Sequence, residues 1–397
     1  MRFLSTLPKK ITGAELFYNK LAQYTDVVFP YSGGSIMPLI DYLHPDKNKH
    51  NIKYYINTHE QNSGHAATGY SKSSDKTGVV ITTSGPGITN MVTPMLDALN
   101  DSTPLVVVSG QVALKNMGTD AFQEAPAVNI TRNVTKWSHL VTDINDIPFI
   151  VDMAFYIANN GKKGPVHIDL PKCILTEEID LNQIKNKEKE KENLILRNDL
   201  EKEFKRNNTY FDGDYEYLSE IIEVINNSEK PILYIGQGCS KTEYELLEIA
   251  NINNIPVTST IHGKGIFDER HELSLEWCGM HGLPAANYAL QEADCIIAVG
   301  SRFDDRTTGN SEFYAPIAHE KQQIIHIDIE KKQLTIDHLN KAKDDLEKMV
   351  IDLQREMLKN QDDVMDKIIL KAAMDFDDIQ YAKKRIKGLN NESETNA

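Results

Sequence analysis

The chain has 397 residues, 40% hydrophobic and 25% charged, with a net charge of −15. That length predicts two or three domains with room for real cores. The acidic balance argues against nucleic acid or an anionic membrane surface as a partner for the whole chain. No apolar run reaches the roughly 18 residues that a spanning helix needs.

The opening stretch, MRFLSTLPKKITGAELF, places two lysines behind only a short apolar run. It is too short for a secretory signal, so a cytoplasmic protein is expected. From about residue 26 to 170, short β-type runs alternate with helical stretches. DVVFP (26–30), KYYIN (53–57), GVVITTS (78–84), PLVVVSG (104–110) and PVHIDL (165–170) read as strands, several of them continuously apolar, as strands buried on both faces are. Helices are expected near 36–43, 60–74, 87–99 and 146–160. This alternation predicts an α/β domain, a parallel sheet wound with helices on both faces, over residues 1–175.

Residues 176–212 are dense in charge and read as a solvated linker. A second α/β pattern follows over 213–338. PILYIG (231–236), PVTST (256–260), DCIIAVG (294–300) and IIHIDI (324–329) read as strands, with helices near 215–228, 241–252 and 283–292. Residues 339–397 read as a helical tail with a disordered end, GLNNESETNA. Leu346, Met349, Val350, Leu353 and Met357 form one apolar stripe there, expected to pack on the body of the chain. Cys173, Cys239, Cys278 and Cys295 stand far apart with no CxxC spacing, so buried thiols are expected rather than zinc or disulfides.

Five stretches have the residue types of a site. YINTHEQNSGHAATGYSK places a lone acid, Glu60, where a β-rich run meets a helix of small residues, Gly64, Ala66, Ala67 and Gly69. TSGPGITN (83–90) follows a strand and opens a helix; Gly85 and Gly87 permit either an ordinary tight turn or close approach to a ligand. GQVALKNMGTDAFQE (110–124) gathers Gln111, Phe122, Gln123 and Glu124 past a buried strand, where open α/β sheets bind ligands, though a surface loop with a structural glutamine fits equally. GMHGLPAAN (279–287) and GSRFDDRTTGN (300–310) place Gly300, Arg302 and Arg306 at a strand end. That set suits phosphates or a dinucleotide, or else ion pairs of the arginines with Asp304 and Asp305. His281 alone reads as a structural histidine.

Taken together, VFPYSGGSIMPLIDYL, THEQNSGHAATGYSK, TTSGPGITNMVTPMLDALNDSTPLVVVSGQV, GTDAFQE, GPVHIDLPK, GMHGLPAANYALQEADCIIAVGSRFDDRTTGN and HIDI resemble, in order, the large catalytic subunit of acetolactate synthase, a thiamine-diphosphate enzyme. The resemblance covers roughly residues 11 to 332. It implies a thiamine-diphosphate-binding fold followed by a Rossmann-like central domain. It also implies decarboxylation of pyruvate and condensation with a second 2-oxo acid.

The resemblance further implies that Glu60 contacts N1′ of the thiamine aminopyrimidine, that small residues around it let backbone approach a flat ring, and that Gly85, Ser102 and Gln123 line the cofactor and active site. Phe122 and Lys172 match residues near the substrate entrance, and Asp305 and Arg306 a pair facing the active-site channel. Gly236, Gly238, Thr260, Gly279, Met280, His281, Gly300, Arg302, Asp304 and Asp328 match stretches that contact a non-redox FAD. Lys162 stands where the family has an arginine against the flavin, and Ala113-Leu114-Lys115 replaces a Pro-Arg-Arg loop. The family's GDG…N segment, which holds Mg²⁺ and the diphosphate, has no match after residue 340, so no metal ligand is assigned here. A diphosphate-binding domain from another chain is the expected complement. The rival expectations are an inactive module that holds FAD, a nucleotide or a full-length synthase, and a different 2-oxo acid decarboxylase or ligase. A homodimer is expected, with MVTPMLDALNDS and PLVVVSG as its apolar patch.

Overall fold

A computed structural model describes residues 10–180 and 215–329, which fall into two compact units dividing between Asp214 and Tyr215. The charged segment from 181 to 214 and the apolar stripe Leu346–Met357 lie outside the described residues.

In the first unit the elements run β1 (Lys10–Thr12), α1 (Gly13–Leu21), β2 (Val27–Pro30), α2 (Met37–Ile40), β3 (Lys53–Tyr54), α3 (Glu60–Ser74), β4 (Gly78–Thr82), α4 (Pro86–Thr89), α5 (Val92–Asn100), β5 (Leu105–Gln111), α6 (Ala127–Thr131), β6 (Trp137–Leu140), α7 (Ile147–Asn159), β7 (Pro165–Pro171), α8 (Lys172–Thr176) and β8 (Glu178–Asp180). Six strands form one parallel sheet in the order β3-β2-β4-β5-β7-β6. Strand alternation builds two cores. Val79, Ile81, Val106, Val108, Val166 and Ile168 pack with α1 and α7 on one face. Val80, Leu105 and Val107 pack with Ala67 of α3 and Met95 of α5 on the other. Both faces are covered, which is why β4 and most of β5 read as continuous apolar runs.

The first expectation to be corrected is the dimer patch. PLVVVSG is the central strand β5, buried along its whole length, and has no surface to give an interface. Only the outer side of α5 stays open, with Leu96 43% exposed. The expected strand KYYIN is two residues long, because the chain leaves the sheet at its edge and exposes Tyr55 and Ile56. The start of the expected linker is a strand instead: β8 pairs antiparallel with β1. The helix expected over 87–99 breaks at Asn90–Met91 into α4 and α5.

The second unit contains α9 (Tyr215–Asn227), β9 (Pro231–Ile235), α10 (Glu243–Ile252), β10 (Val257–Ser259), β11 (Ser274–Trp277), α11 (Pro284–Glu292), β12 (Cys295–Val299), α12 (Asp305–Thr308), α13 (Pro316–Glu320) and β13 (Ile324–Ile327). Its parallel sheet has the order β11-β10-β9-β12-β13, so the winding reverses between β9 and β12. Ile232, Tyr234, Ile296 and Ala298 face α11 and α13, and Leu233, Ile235 and Ile297 face α10. Both units are thus doubly wound α/β. All four cysteines are free thiols; Cys239, Cys278 and Cys295 are buried and Cys173 half-buried.

Candidate functional site

In an open α/β sheet, ligands bind beyond the carboxyl ends of the strands, where the winding reverses. In the first unit that point lies between β2 and β4. The two loops there are stitched together: Ser84 N donates to Ser35 Oγ at 3.0 Å, and Ser35 Oγ lies 3.0 Å from Thr83 Oγ1. A Cβ on Gly33 would come within 2.4 Å of Thr83, so only glycine lets the loops meet this closely.

Glu60 opens α3 at the same edge. His59 caps the helix, its Nδ1 accepting from Gln61 N at 3.1 Å. A carboxylate in the first turn faces the positive end of the helix dipole. Glu60 is 8% exposed, and its Oε2 accepts from Asn90 Nδ2 at 3.0 Å. Its Oε1 takes no hydrogen bond from the described residues. The glycines of α3 do not surround this carboxyl. Gly64 meets Pro94 and Met91, a Cβ on Gly78 would strike Ala67, and Gly69 faces open space. Gly64 therefore serves close packing of α3 on α5.

Gly85 and Gln123 meet directly. Gly85 has φ 58° and ψ −116°, a conformation open essentially to glycine alone, and an added Cβ would lie 2.7 Å from Gln123 O. Gln123 is itself left-handed at φ 59°. Its loop is braced by Glu124, which accepts from the backbone of Gly118 and Ala121. Those bonds, Gly118 first, hold the Glu124 carboxyl below its usual range. Phe122 stands 88% exposed beside it. Lys172, also exposed, starts α8 at the carboxyl end of β7.

The structure thus gathers Glu60, Gly85, Phe122, Gln123 and Lys172 at one edge of the sheet. It does not bring Ser102 or Lys162 there. Both precede their strands, β5 and β7, at the opposite edge. Seven residues of β5 separate Ser102 from the loop beyond Gln111, roughly 20 Å of strand.

In the second unit, Gly236, Gly238, Thr260, Gly300, Arg302, Asp304 and Asp328 all follow the carboxyl ends of strands. Gly238 N donates to Gly300 O at 3.1 Å, and a Cβ on Gly236 would lie 2.2 Å from Gly300 O. The three glycines therefore let the β9 and β12 loops touch. Thr260 Oγ1 accepts from Gly263 N at 3.0 Å. Gly279 has φ 97°, and Met280 N donates to Arg306 O at 2.8 Å. Asp304 caps α12 by accepting from Arg306 N and Thr307 N, each at 3.1 Å. Arg306 lies only 3.9 Å from Asp305, both exposed, so that ion pair is weak. His281 is exposed. Asp328 sits 4.0 Å from His326 Nε2, which also lies 2.7 Å from Ser301 O.

Sequence reasoning did not single out Asn90, His59 or Ser35. Asn90 lies within TSGPGITN, but its reach to Glu60 depends on the break between α4 and α5. Among the described residues no three His, Cys, Asp or Glu side chains gather as a metal site, and no helix is long and apolar enough to cross a membrane.

The comparisons agree with this geometry. The family "Thiamine pyrophosphate enzyme, N-terminal TPP binding domain" matches residues 11–130, and "Thiamine pyrophosphate enzyme, central domain" matches residues 218–350. The mitochondrial acetolactate synthase catalytic subunit of Saccharomyces cerevisiae is 41% identical over 335 residues, 82% of this chain and 47% of that protein. The chloroplastic acetolactate synthase of Arabidopsis thaliana is 39% identical over 84% of this chain and 47% of its own length. The acetolactate synthase large subunit of Corynebacterium glutamicum is 39% identical over 83% and 50%. The chain spans about half the length of these relatives. Through its two α/β domains, the chain belongs to the thiamine pyrophosphate enzymes as a homologue of acetolactate synthases.

Proposed function

We propose that the first unit forms the aminopyrimidine side of a thiamine diphosphate site. The chain then takes part in an acetolactate-synthase-type reaction, decarboxylating pyruvate and joining the remainder to a second 2-oxo acid. One observation carries this reading: Glu60 is nearly buried at a helix start, Asn90 holds one of its oxygens, and the other takes no hydrogen bond from the described residues. Bound there, thiamine diphosphate supplies a carbon acid whose conjugate base adds to the carbonyl of a 2-oxo acid. Glu60 would hydrogen-bond N1′ and raise the basicity of the amino group on the same ring. Asn90 fixes the Glu60 carboxyl, Gly85 seats the Gln123 loop, and Phe122 and Lys172 stand where substrate would enter.

The same reading assigns FAD to the second unit, over Gly236, Gly238, Thr260, Gly279 to His281, Gly300 to Asp304 and Asp328. Mg²⁺ and the diphosphate would be held by a diphosphate-binding domain on another chain, within an assembly that includes a homodimer of this one. Leu96 is the one large apolar side chain of α5 left exposed for that pairing.

The test mixes the purified chain with thiamine diphosphate, Mg²⁺, FAD and pyruvate, with and without a diphosphate-binding domain. Acetolactate is expected only in the complemented mixture, and Glu60→Gln is expected to remove most of it. Full turnover by that variant overturns the role of Glu60. Cofactor binding without product in any mixture favours a silent binding module instead.

A further inference from the structure

The sheet face that meets α6 carries polar side chains that the cofactor reading does not use. Strand alternation sends Val166, Ile168 and Leu170 to one face of β7 and His167 and Asp169 to the other. His167 is 0% and Asp169 1% exposed. Burial of two titratable side chains in a sheet is costly unless their hydrogen bonds are complete. Here they form a continuous chain. Ser109 Oγ donates to Asp169 Oδ1 at 2.6 Å and lies 2.8 Å from His167 Nε2. His167 Nδ1 lies 2.9 Å from Thr131 Oγ1. Thr131 Oγ1 also reaches Ala127 O, one turn back in α6, and Ser138 Oγ on β6, each at 2.9 Å.

Gln111 fixes the far end. Its Oε1 accepts from Val112 N, and its Nε2 donates to both Asp169 Oδ2 and Ala125 O, each bond 2.9 Å. The amide has no freedom to turn over, so Oδ2 is always an acceptor. A proton on Asp169 must therefore sit on Oδ1, facing Ser109. Two complete arrangements follow. With Asp169 ionised, Thr131 donates to His167 Nδ1, His167 Nε2–H donates to Ser109, and Ser109 donates to Asp169. With Asp169 protonated, Asp169 donates to Ser109, Ser109 donates to His167 Nε2, His167 Nδ1–H donates to Thr131, and Thr131 donates to Ala127 O. The two differ by one proton taken from solvent. His167 is neutral in both and changes only its tautomer.

We propose that Asp169, Ser109, His167 and Thr131 form a two-state proton relay, in which ionisation of the buried carboxyl sets the tautomer of His167 and the hydrogen bonding of α6. The relay lies beneath the loop that carries Phe122 and Gln123, because Gln111 ties Asp169 to Ala125 at the end of that loop. A pocket of about 630 Å³ lies between loop and sheet, lined by Gln111, Leu140 and Asp169 among others, and gives the proton its way in. The charged groups that line the pocket with Asp169 are Asp120 and Glu124. Leu140 is the neighbour on β6, in register with Asp169, while His139 points to the opposite face. On α6 and beyond, Arg132 is exposed and Lys136 Nζ is bound to the carbonyls of Ile157 and Asn160. Burial drives both groups toward neutrality, raising Asp169 to about 7 and lowering His167 to about 3. The inference goes beyond the proposed catalytic role and does not depend on it.

The test is ¹⁵N NMR of the full chain labelled at histidine, with His167 assigned by its loss in His167→Gln. Ring-nitrogen shifts separate the Nε2–H from the Nδ1–H tautomer. From about pH 5 to about pH 9, His167 is expected to pass from Nδ1–H to Nε2–H with one midpoint and without forming imidazolium. In Asp169→Asn, Gln111 forces the amide oxygen toward itself and the NH₂ toward Ser109, so His167 should stay Nδ1–H throughout. Ser109→Ala should abolish the pH response, and it serves alone if the Asn variant does not fold. One tautomer at every pH in the parent, a titration to imidazolium, or an unchanged response in the folded variants overturns the relay.

Discussion

Replacing His167 by leucine removes one of two buried groups that pull stability in opposite directions as pH changes. Asp169 has a folded value of about 7 against an ordinary 3.8. Its favourable contribution is therefore complete below about pH 3.8 and is lost as pH rises toward 7. His167 has a folded value of about 3 against an ordinary 6.5. Its contribution is complete above pH 6.5 and is lost as pH falls toward 3. Between about pH 4 and pH 6.5 each group contributes a slope of about 1.4 kcal/mol per pH unit, of opposite sign, so the pair nearly cancels. His167→Leu leaves the carboxyl slope alone. Relative to the parent, the variant should lose about 3 kcal/mol of stability across that window as pH rises. Asp169→Asn should show the reverse slope. Leucine also leaves Ser109 and Thr131 short of a partner, but that cost is nearly independent of pH and shifts the curve without tilting it. Urea unfolding followed by Trp137 fluorescence in a Trp277→Phe background reads the first unit by itself, since these are the two tryptophans of the chain. Parallel pH curves for parent and both variants would refute the reasoning.

Three further outcomes are expected. Gly85→Ala forces a Cβ to 2.7 Å from Gln123 O at a glycine-only conformation and should cost about 1–3 kcal/mol from backbone strain alone; an unfolding midpoint equal to the parent's would show that the Gln123 loop is not seated there. Asp304→Ala removes the cap of α12 and should destabilise the second unit by about 1 kcal/mol, read by Trp277 fluorescence in a Trp137→Phe background, with no change expected for Asp304→Ser. Glu60→Gln should fold with a loss of under about 1 kcal/mol, because the new amide oxygen can still accept from Asn90 and only the charge at the helix start is lost; failure to fold would make Glu60 a structural residue first.

The two winding patterns were legible because β4, β5, β9 and β12 are buried on both faces and spell largely apolar runs. β6 and β11 were not, since WSHL and SLEW are only half-buried and mix polar with apolar side chains. KYYIN misled for the converse reason: its tyrosines and isoleucine are exposed at an edge. The helix over 60–74 has the predicted bounds, its start fixed by the His59 cap. The motifs of Glu60, Gly85 and Gln123 fall at one edge of the sheet, whereas Ser102 falls before β5 at the other. A residue a few positions before a strand and one just after it are near in sequence and a strand length apart in space. PLVVVSG offers no dimer surface because its apolarity signals burial inside the sheet. The buried relay left a signal that went unused: in GPVHIDLPK, His and Asp alternate with Val, Ile and Leu, the period-2 mark of one polar and one apolar face.

The central claim is that Glu60 acts on the aminopyrimidine of thiamine diphosphate. It is tested most directly by exchange of the cofactor's C2 proton for deuterium, followed by proton NMR, in the chain complemented with a diphosphate-binding domain and Mg²⁺. The account predicts exchange far faster than for free cofactor, and a loss of about 10² to 10⁴-fold in Glu60→Gln, the range of a single general acid–base contribution. Equal exchange rates for parent and variant, with cofactor bound to both, would contradict it.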